Sequence, residues 1–413
     1  MAGIGQSKLF NYIFLILFSP VYLLAKLIPK NRKLYVFGSS LGHHCADNSK
    51  YLFLYASKHI SNIKSVFISR NRSLVEFLIK KGYQAEYLNS FQGIRTVLRA
   101  KKAFLSNSTK DIHPLLLGGA EIIQLWHGTP LKKIGYDADW KTGTIKAEIK
   151  NTVRRVLFAV FPFLYSARVF DKIVISSPDI MDSYLTAFKI PPEKTEIIGQ
   201  PRNDCLNPSY ALDENIFDEL EYLENLKDRY DMIISWLPTH RGLSGKTIVN
   251  LMDEYGLDFG KFDEFLRENN IAFVAKPHVL ERDALKSRAT AGENIIVYDY
   301  VDPYPLLRYT NILITDYSSV YFDFLLTGKP VIFTPFDFDD YCRDDADFYY
   351  DYDSVTPGPK CRTWDEITAE LKNALACLRS SAPDPYAEKR KEICGRFNYY
   401  NSDFCRRVTE RFF

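Results

Sequence analysis

The chain has little cysteine, and it is spread along the whole length. Its seven cysteines, at 45, 205, 342, 361, 377, 394 and 405, are scattered, with no C-x-x-C spacing. That argues against a disulfide framework and a zinc site, and for a reducing compartment. Charge of one sign is also scarce: 53 Lys and Arg face 51 Asp and Glu, for a net +2. Such balance gives no case for a nucleic-acid partner. There is no low-complexity segment and no short-period repeat. No Asp/Glu/His cluster has metal-ligand spacing, and no Asp-x-Asp follows an expected strand, so the expectation is chemistry without a metal or other cofactor. His43-His44 reads as a loop pair with no metal role.

Aromatic residues, by contrast, are plentiful at 15%, which favours stacking pockets or a membrane interface. At 413 residues the chain has room for two domains, at about 100–200 residues each. Leu9 to Ile28 is a nearly unbroken apolar run interrupted by Pro20 and Lys26 and followed by the basic stretch Lys30 to Lys33. No small-residue cleavage site follows it, which argues against a cleaved signal peptide. Three readings stay open: a helix on the membrane surface, a single spanning anchor, or a helix packed into the fold.

From Lys33 onward, strands and helices alternate. Strands are expected at 34–37, 65–68, 103–106, 121–125, 172–176 and 195–198, with helices at 48–58, 73–81 and 178–189. The basic-then-aromatic stretch 141–168 reads either as an amphipathic helix for an anionic bilayer or as a helix packed on its own domain. A second block repeats the scheme, with strands at 232–237, 271–275, 294–298, 312–314 and 331–333 and helical patterns at 304–308, 363–378 and 385–397. Repeated βα units imply an α/β protein with parallel, doubly wound sheets and a cleft formed by loops at the strand C-termini.

Those loops carry the candidate chemistry. Trp126-His127-Gly128-Thr129, Thr239-His240-Arg241 and Lys276-Pro277-His278 each follow an expected strand. Asp316 to Ser319 follows another and opens a short helix, so Ser318, Ser319 and the free N–H groups could receive a phosphate. Asp323 shares that helix face and suits sugar or polyol hydroxyls. Arg202, Arg241 and Lys276 can neutralise a diphosphate. His127, before a glycine that lets a ligand approach, is the candidate base, and His278 or His240 would bind phosphate or leaving group. Gly128, Thr129, Thr239 and Pro277 complete the candidate substrate-binding set. Tyr350 to Asp353 reads as an acidic, aromatic surface loop.

The ordered series WHGTPLKKIG (126–135), GQPRND (199–204), PTHR (238–241), KPH (276–278) and TDYSSVYFDF (315–324) resembles the CDP-glycerol glycerophosphotransferase family of teichoic acid synthesis. Asp47-Asn48-Ser49-Lys50, Phe348 to Tyr352 and Pro357-Gly358-Pro359 add to the likeness, which covers roughly 33–380. The resemblance implies a GT-B fold, with two Rossmann-like domains facing a central cleft. It implies transfer of glycerol phosphate from CDP-glycerol to a hydroxyl of a lipid-linked glycan or growing polymer, at the cytoplasmic face of the membrane, with release of CMP. By the same analogy His127 is the base, and Arg202, Arg241, Lys276, His278, Ser318, Ser319 and Asp323 line the donor site. The expected organisation is a membrane-associated helix over 1–32, an acceptor-side domain over 33–205, a CDP-polyol domain over 206–385 and a helical tail over 386–413. CDP-ribitol as donor, a nucleotide-sugar glycosyltransferase, and a membrane-bound scaffold with a degenerate pocket are the alternatives.

Overall fold

The computed structural model describes residues 17–138, 156, 169–207, 217–241, 246–277, 281–289, 294–380 and 383–413. Two compact units emerge. The first comprises Met1–His127, Gly135–Asp204 and Ser402–Phe413; the second comprises Gly128–Ile134 and Cys205–Asn401.

The first unit is built on seven parallel strands: β1 (Asn31–Gly38), β2 (Lys64–Ser69), β3 (Ala85–Tyr87), β4 (Ala100–Leu105), β5 (Glu121–Gln124), β6 (Lys172–Ile175) and β7 (Thr195–Ile197). Their order is β3-β2-β1-β4-β5-β6-β7. The reversal between β1 and β4 marks a doubly wound sheet, and the loops after its strands collect at one edge. The central strands are buried along most of their length, as a parallel sheet covered on both faces must be. Phe37 stacks on Phe104 at 5.1 Å, and Phe413 stacks on the same ring at 5.2 Å. The final helix, Phe404–Phe412, packs through Phe404, Cys405, Val408 and Phe412. It belongs to this first unit, whereas the helix before it, Ala387–Phe397, belongs to the second.

The second unit carries β8 (Met232–Leu237), β9 (Ile271–Ala275), β10 (Ile295–Val297), β11 (Ile312–Thr315) and β12 (Val331–Phe333), all parallel, in the order β10-β9-β8-β11-β12. Trp236 meets Trp364 edge-on at 5.0 Å, and Phe262 and Phe273 close the same cluster. Trp364 opens the helix Trp364–Ser380, whose first turn is capped by the Thr363 hydroxyl accepting from the Glu366 amide.

Of the apolar run 9–28, the described part is the helix Ser19–Leu27. Among the described residues no helix is long and apolar enough to cross a membrane. One face of this helix packs on the first unit, where a side chain at Gly118 would collide with the Tyr22 carbonyl. Lys30, expected as part of a basic flank, instead donates to the carbonyls of Ala25 (3.1 Å), Leu98 (2.6 Å) and Gly118 (2.6 Å). The opposite face leaves Leu17, Phe18, Leu23, Leu24 and Leu27 exposed. The expected amphipathic helix over 141–168 lies outside the described residues, Val156 excepted.

Candidate functional site

In the first unit the chemistry gathers after β5. Trp126 stands at φ 59°, in the left-handed region that a bulky side chain rarely occupies. Its amide donates to Gln124 Oε1 at 3.2 Å, and its carbonyl accepts from Asn48 Nδ2 at 2.8 Å. The indole packs edge-on against Phe188 at 4.8 Å, and the His127 ring stacks on it at 4.3 Å. His127 itself is exposed. Desolvation by the surrounding protein nonetheless holds its pKa below the ordinary 6.5; Asp47 pulls the value up and Arg202 pushes it down. The imidazole is therefore neutral at neutral pH, the state a base needs.

The GQPRND stretch after β7 supports this position. Asn48 Nδ2 also donates to Gln200 Oε1. The Arg202 guanidinium is 3% exposed and donates through Nη1 to Asp47 Oδ1 at 2.6 Å. The charge expected to meet a diphosphate is thus matched here by a carboxylate. Asp204 serves the fold: it accepts from the amides of Phe404 (2.9 Å) and Cys405 (2.8 Å), at the start of the final helix.

In the second unit the loops after β8, β11 and β12 are tied by one buried network. Arg241 donates through Nη1 to Asp316 Oδ2 (2.5 Å) and through Nη2 and Nε to the two oxygens of Asp337 (2.8 and 3.2 Å). Asp316 Oδ1 accepts from the amides of Thr239 (2.8 Å) and Tyr317 (2.6 Å), and the Tyr317 hydroxyl donates to Asp337 at 3.0 Å. Arg241 is 2% exposed. It ties the loops together as a buried post, with its charge matched by two carboxylates. Asp323 is wholly buried and accepts from the Tyr304 hydroxyl at 2.5 Å, so it does not present its carboxylate at the surface. Thr129 and Pro277 are buried too. The acidic stretch 350–353 is not a surface loop throughout: Tyr352 is buried and donates to the Asp316 carbonyl at 3.0 Å, and Asp351 caps the short helix Tyr352–Val355.

The groups left accessible are fewer. Ser318 and Ser319 are half-buried. Ser319 precedes a helix of only five residues, Val320–Phe324, and makes no side-chain cap, so the expected helix-tip anion site is weak. Ser318 Oγ accepts from the Val320 amide at 3.4 Å. Lys276 is half-buried; its ammonium donates to the Tyr300 carbonyl at 2.6 Å, and burial lowers its pKa to about 8. His240 is exposed, with Nδ1 3.4 Å from Glu281. Gly128 is buried and opens the second unit's segment Gly128–Ile134. His278 lies outside the described residues. Sequence reasoning missed Lys132, whose ammonium donates to Tyr341 Oη at 3.1 Å and whose pKa burial lowers to about 8. It also missed Asp47 and Asn48 as parts of the His127 surroundings. Their place in the resembling stretch 47–50 was the available signal.

Residues 21–413 match the family described as CDP-Glycerol:Poly(glycerophosphate) glycerophosphotransferase. The chain belongs to this family. It is 30% identical over 288 residues to a teichoic acid poly(ribitol-phosphate) polymerase of Bacillus spizizenii, covering 66% of this chain and 41% of that one. It is 27% identical over 404 residues to a teichoic acid glycerol-phosphate transferase of Staphylococcus aureus, covering 91% and 92%. The chain thus spans less than half of the first of these relatives and nearly all of the second. A solved structure of the wall teichoic acid polymerase TagF, a variant combined with CDPG, shares the fold at TM-score 0.69 and 24% identity, covering 99% of this chain and 96% of that one. Family membership brings the α/β fold with parallel sheets and the motif series into one account.

Proposed function

We propose that this chain transfers glycerol phosphate from CDP-glycerol to a hydroxyl of a membrane-lipid-linked glycan or growing teichoic acid polymer, releasing CMP. In this reading the first unit activates the acceptor and the second holds the donor, as in a GT-B enzyme. His127 takes the proton from the acceptor hydroxyl. The freed oxygen forms a bond to the phosphorus that bears glycerol, and the bond from that phosphorus to the bridging oxygen breaks, with CMP leaving on it. Lys276, Ser318 and Ser319 are the accessible groups for the diphosphate, with the exposed His240 in the loop after β8 and His278 as expected partners. Phosphoryl transfer asks the protein mainly for position and positive charge, which these groups supply.

The observation that carries the proposal is the exposed, neutral imidazole of His127 at the end of β5, in a chain of this family. The test is CMP release from CDP-glycerol with a synthetic lipid-linked acceptor. His127→Ala is expected to lose at least about 10²-fold in kcat with unchanged thermal stability. Full activity in that variant would remove the assigned base. The ribitol-phosphate relative at 30% identity keeps CDP-ribitol in the assay as a second donor, and turnover of sugar nucleotides alone would reject both.

The reading includes the cytoplasmic face of the membrane. It is supported by the apolar face of Leu17, Phe18, Leu23, Leu24 and Leu27, flanked by exposed Lys26, Arg32 and Lys33. Such a face suits an anionic bilayer surface.

A further inference from the structure

Asn48 is wholly buried, and every arm of its carboxamide is engaged. Nδ2 donates to the carbonyls of Trp126 (2.8 Å) and Leu125 (3.4 Å) and to Gln200 Oε1. Oδ1 accepts from the Arg202 amide at 3.1 Å. One side chain therefore joins three pieces of chain: the start of the helix Asp47–His59, the segment after β5 and the segment after β7. The peptide it grips leads directly into His127. That grip falls where the backbone is strained, with Trp126 at φ 59° and Asp47 at φ 60°. A left-handed non-glycine residue is strained and persists only when its surroundings hold it.

We propose that Asn48 is the positioning residue of His127: its carboxamide locks the Trp126 carbonyl and the Arg202 amide together, and so fixes the direction of the imidazole and the Asp47–Arg202 pair next to it. The inference deepens the function proposed above and rests on His127 being the base. The chemistry of the site favours asparagine. Aspartate would keep the shape but set an oxygen against two carbonyls and an amide oxygen. Glutamine would need an extra methylene in a site with no exposed surface. Serine would reach at most one of the partners. Asp47 and Arg202 are the charges that His127 feels, and they act in opposite directions. Moving the ring relative to that pair changes both its aim and its basicity.

The experiment uses the full chain, labelled with ¹⁵N, and follows the imidazole nitrogens by NMR as pH is varied, with the His127 signal identified by its absence in His127→Asn. In the native protein its midpoint is expected below the ordinary histidine value of about 6.5, because desolvation disfavours the charged ring. In Asn48→Ala the midpoint is expected to move, and kcat for CMP release to fall on the order of 10²-fold, the usual cost of about 1 Å of misplacement. The KM for CDP-glycerol is expected to stay within about twofold, because the donor groups belong to the other unit. A merely structural Asn48 would lower the melting temperature and leave the midpoint and the kcat of the folded protein where they were; that result overturns the proposal. Gln200→Ala removes one acceptor of the same carboxamide and is the milder variant, expected to move the midpoint in the same direction by less. If Asn48→Ala does not fold, an unmoved midpoint in Gln200→Ala overturns the proposal instead. A moved midpoint in a protein whose His127→Ala variant stays fully active would keep the positioning role and discard the base, so the two ideas fail separately.

Discussion

Replacing Arg241 by methionine would take away a guanidinium that is 2% exposed and leave Asp316 and Asp337, at 1% and 5%, without their counter-charge. Methionine fills much of the same volume, so the loss is electrostatic and not a cavity. Removing one partner from a buried ion pair costs about 3–5 kcal/mol, because the remaining charge is stranded away from water. For a unit of this size each kcal/mol moves the melting temperature by about 2–4 °C, which gives a fall of roughly 6–20 °C at neutral pH. The pH dependence has a definite sign. Burial alone would raise the Asp337 pKa, but the hydrogen bonds and charge of Arg241, helped by the Tyr317 hydroxyl, bring it below the ordinary 3.8. In the native protein that carboxylate stabilises the fold above the unfolded pKa, and the contribution is lost as pH falls through the lower, folded value. In Arg241→Met the burial penalty remains, so the folded pKa moves up. The penalty is then full at neutral pH and shrinks on acidification. Calorimetry of both proteins between pH 7.5 and pH 5 should therefore show the gap in melting temperature narrowing. If Arg241 instead faced the diphosphate, the variant would melt like the native protein and show only a raised KM for CDP-glycerol, and the buried-post argument would be wrong.

Three further outcomes follow from the same contacts. Lys276 is held at about pKa 8 by burial, while the unfolded chain keeps a lysine near 10.5. The unfolded state thus binds more protons in that window, native stability rises with pH across it, and Lys276→Met should flatten the rise seen by thermal unfolding while raising KM for CDP-glycerol. Deleting 402–413 removes Phe404, Val408 and Phe412 from the first unit's core. At about 1.5–3 kcal/mol each, that approaches the whole stability of a domain, so calorimetry should lose one transition and keep the other. Changing Leu23, Leu24 and Leu27 together to glutamate should abolish sedimentation with vesicles of anionic phospholipid without changing the melting temperature, since all three side chains are exposed; vesicle binding equal to that of the native chain would place the contact elsewhere.

What could be read from the sequence was whatever a short window contains. Ile312-Leu313-Ile314 and Met232 to Leu237 are apolar runs between turn residues, and both are strands. Ala85–Tyr87 escaped because three residues with a glutamate in the middle carry no pattern. Asn31–Lys33 escaped because the start of β1 is exposed and reads as a basic linker. The helix Glu219–Arg229 carries little apolar signal, since its charges outnumber its apolar positions. The allegiance of Phe404–Phe412 to the first unit rests on contacts such as Phe104–Phe413, across about three-quarters of the chain, and no local reading supplies those.

The site divides along the same line. Local pattern puts His127, Ser318, Ser319 and Lys276 at strand ends, and each stands just after one. Arg202 and Arg241 look identical in sequence whether they meet a phosphate or an aspartate. The deciding partners lie 155 and 75 residues away. Three of the motifs join an accessible part to a buried one: His127 follows Trp126, Ser318 follows Asp316 and Tyr317, and Thr239 precedes Arg241, whereas 199–204 is buried throughout. Loops at strand ends have no ladder of their own to hold them, so residues that offer chemistry need neighbours that satisfy backbone groups and anchor the turn. Asp316 illustrates the arrangement: one carboxylate takes two loop amides and a guanidinium, and Ser318, two residues on, remains accessible. A motif in such a family is therefore better read as a short stretch of scaffold carrying one or two reactive groups than as a row of ligands. The buried members should act on stability and on the aim of their neighbours, and the accessible ones on the reaction itself, His127 through kcat and Lys276 through substrate affinity.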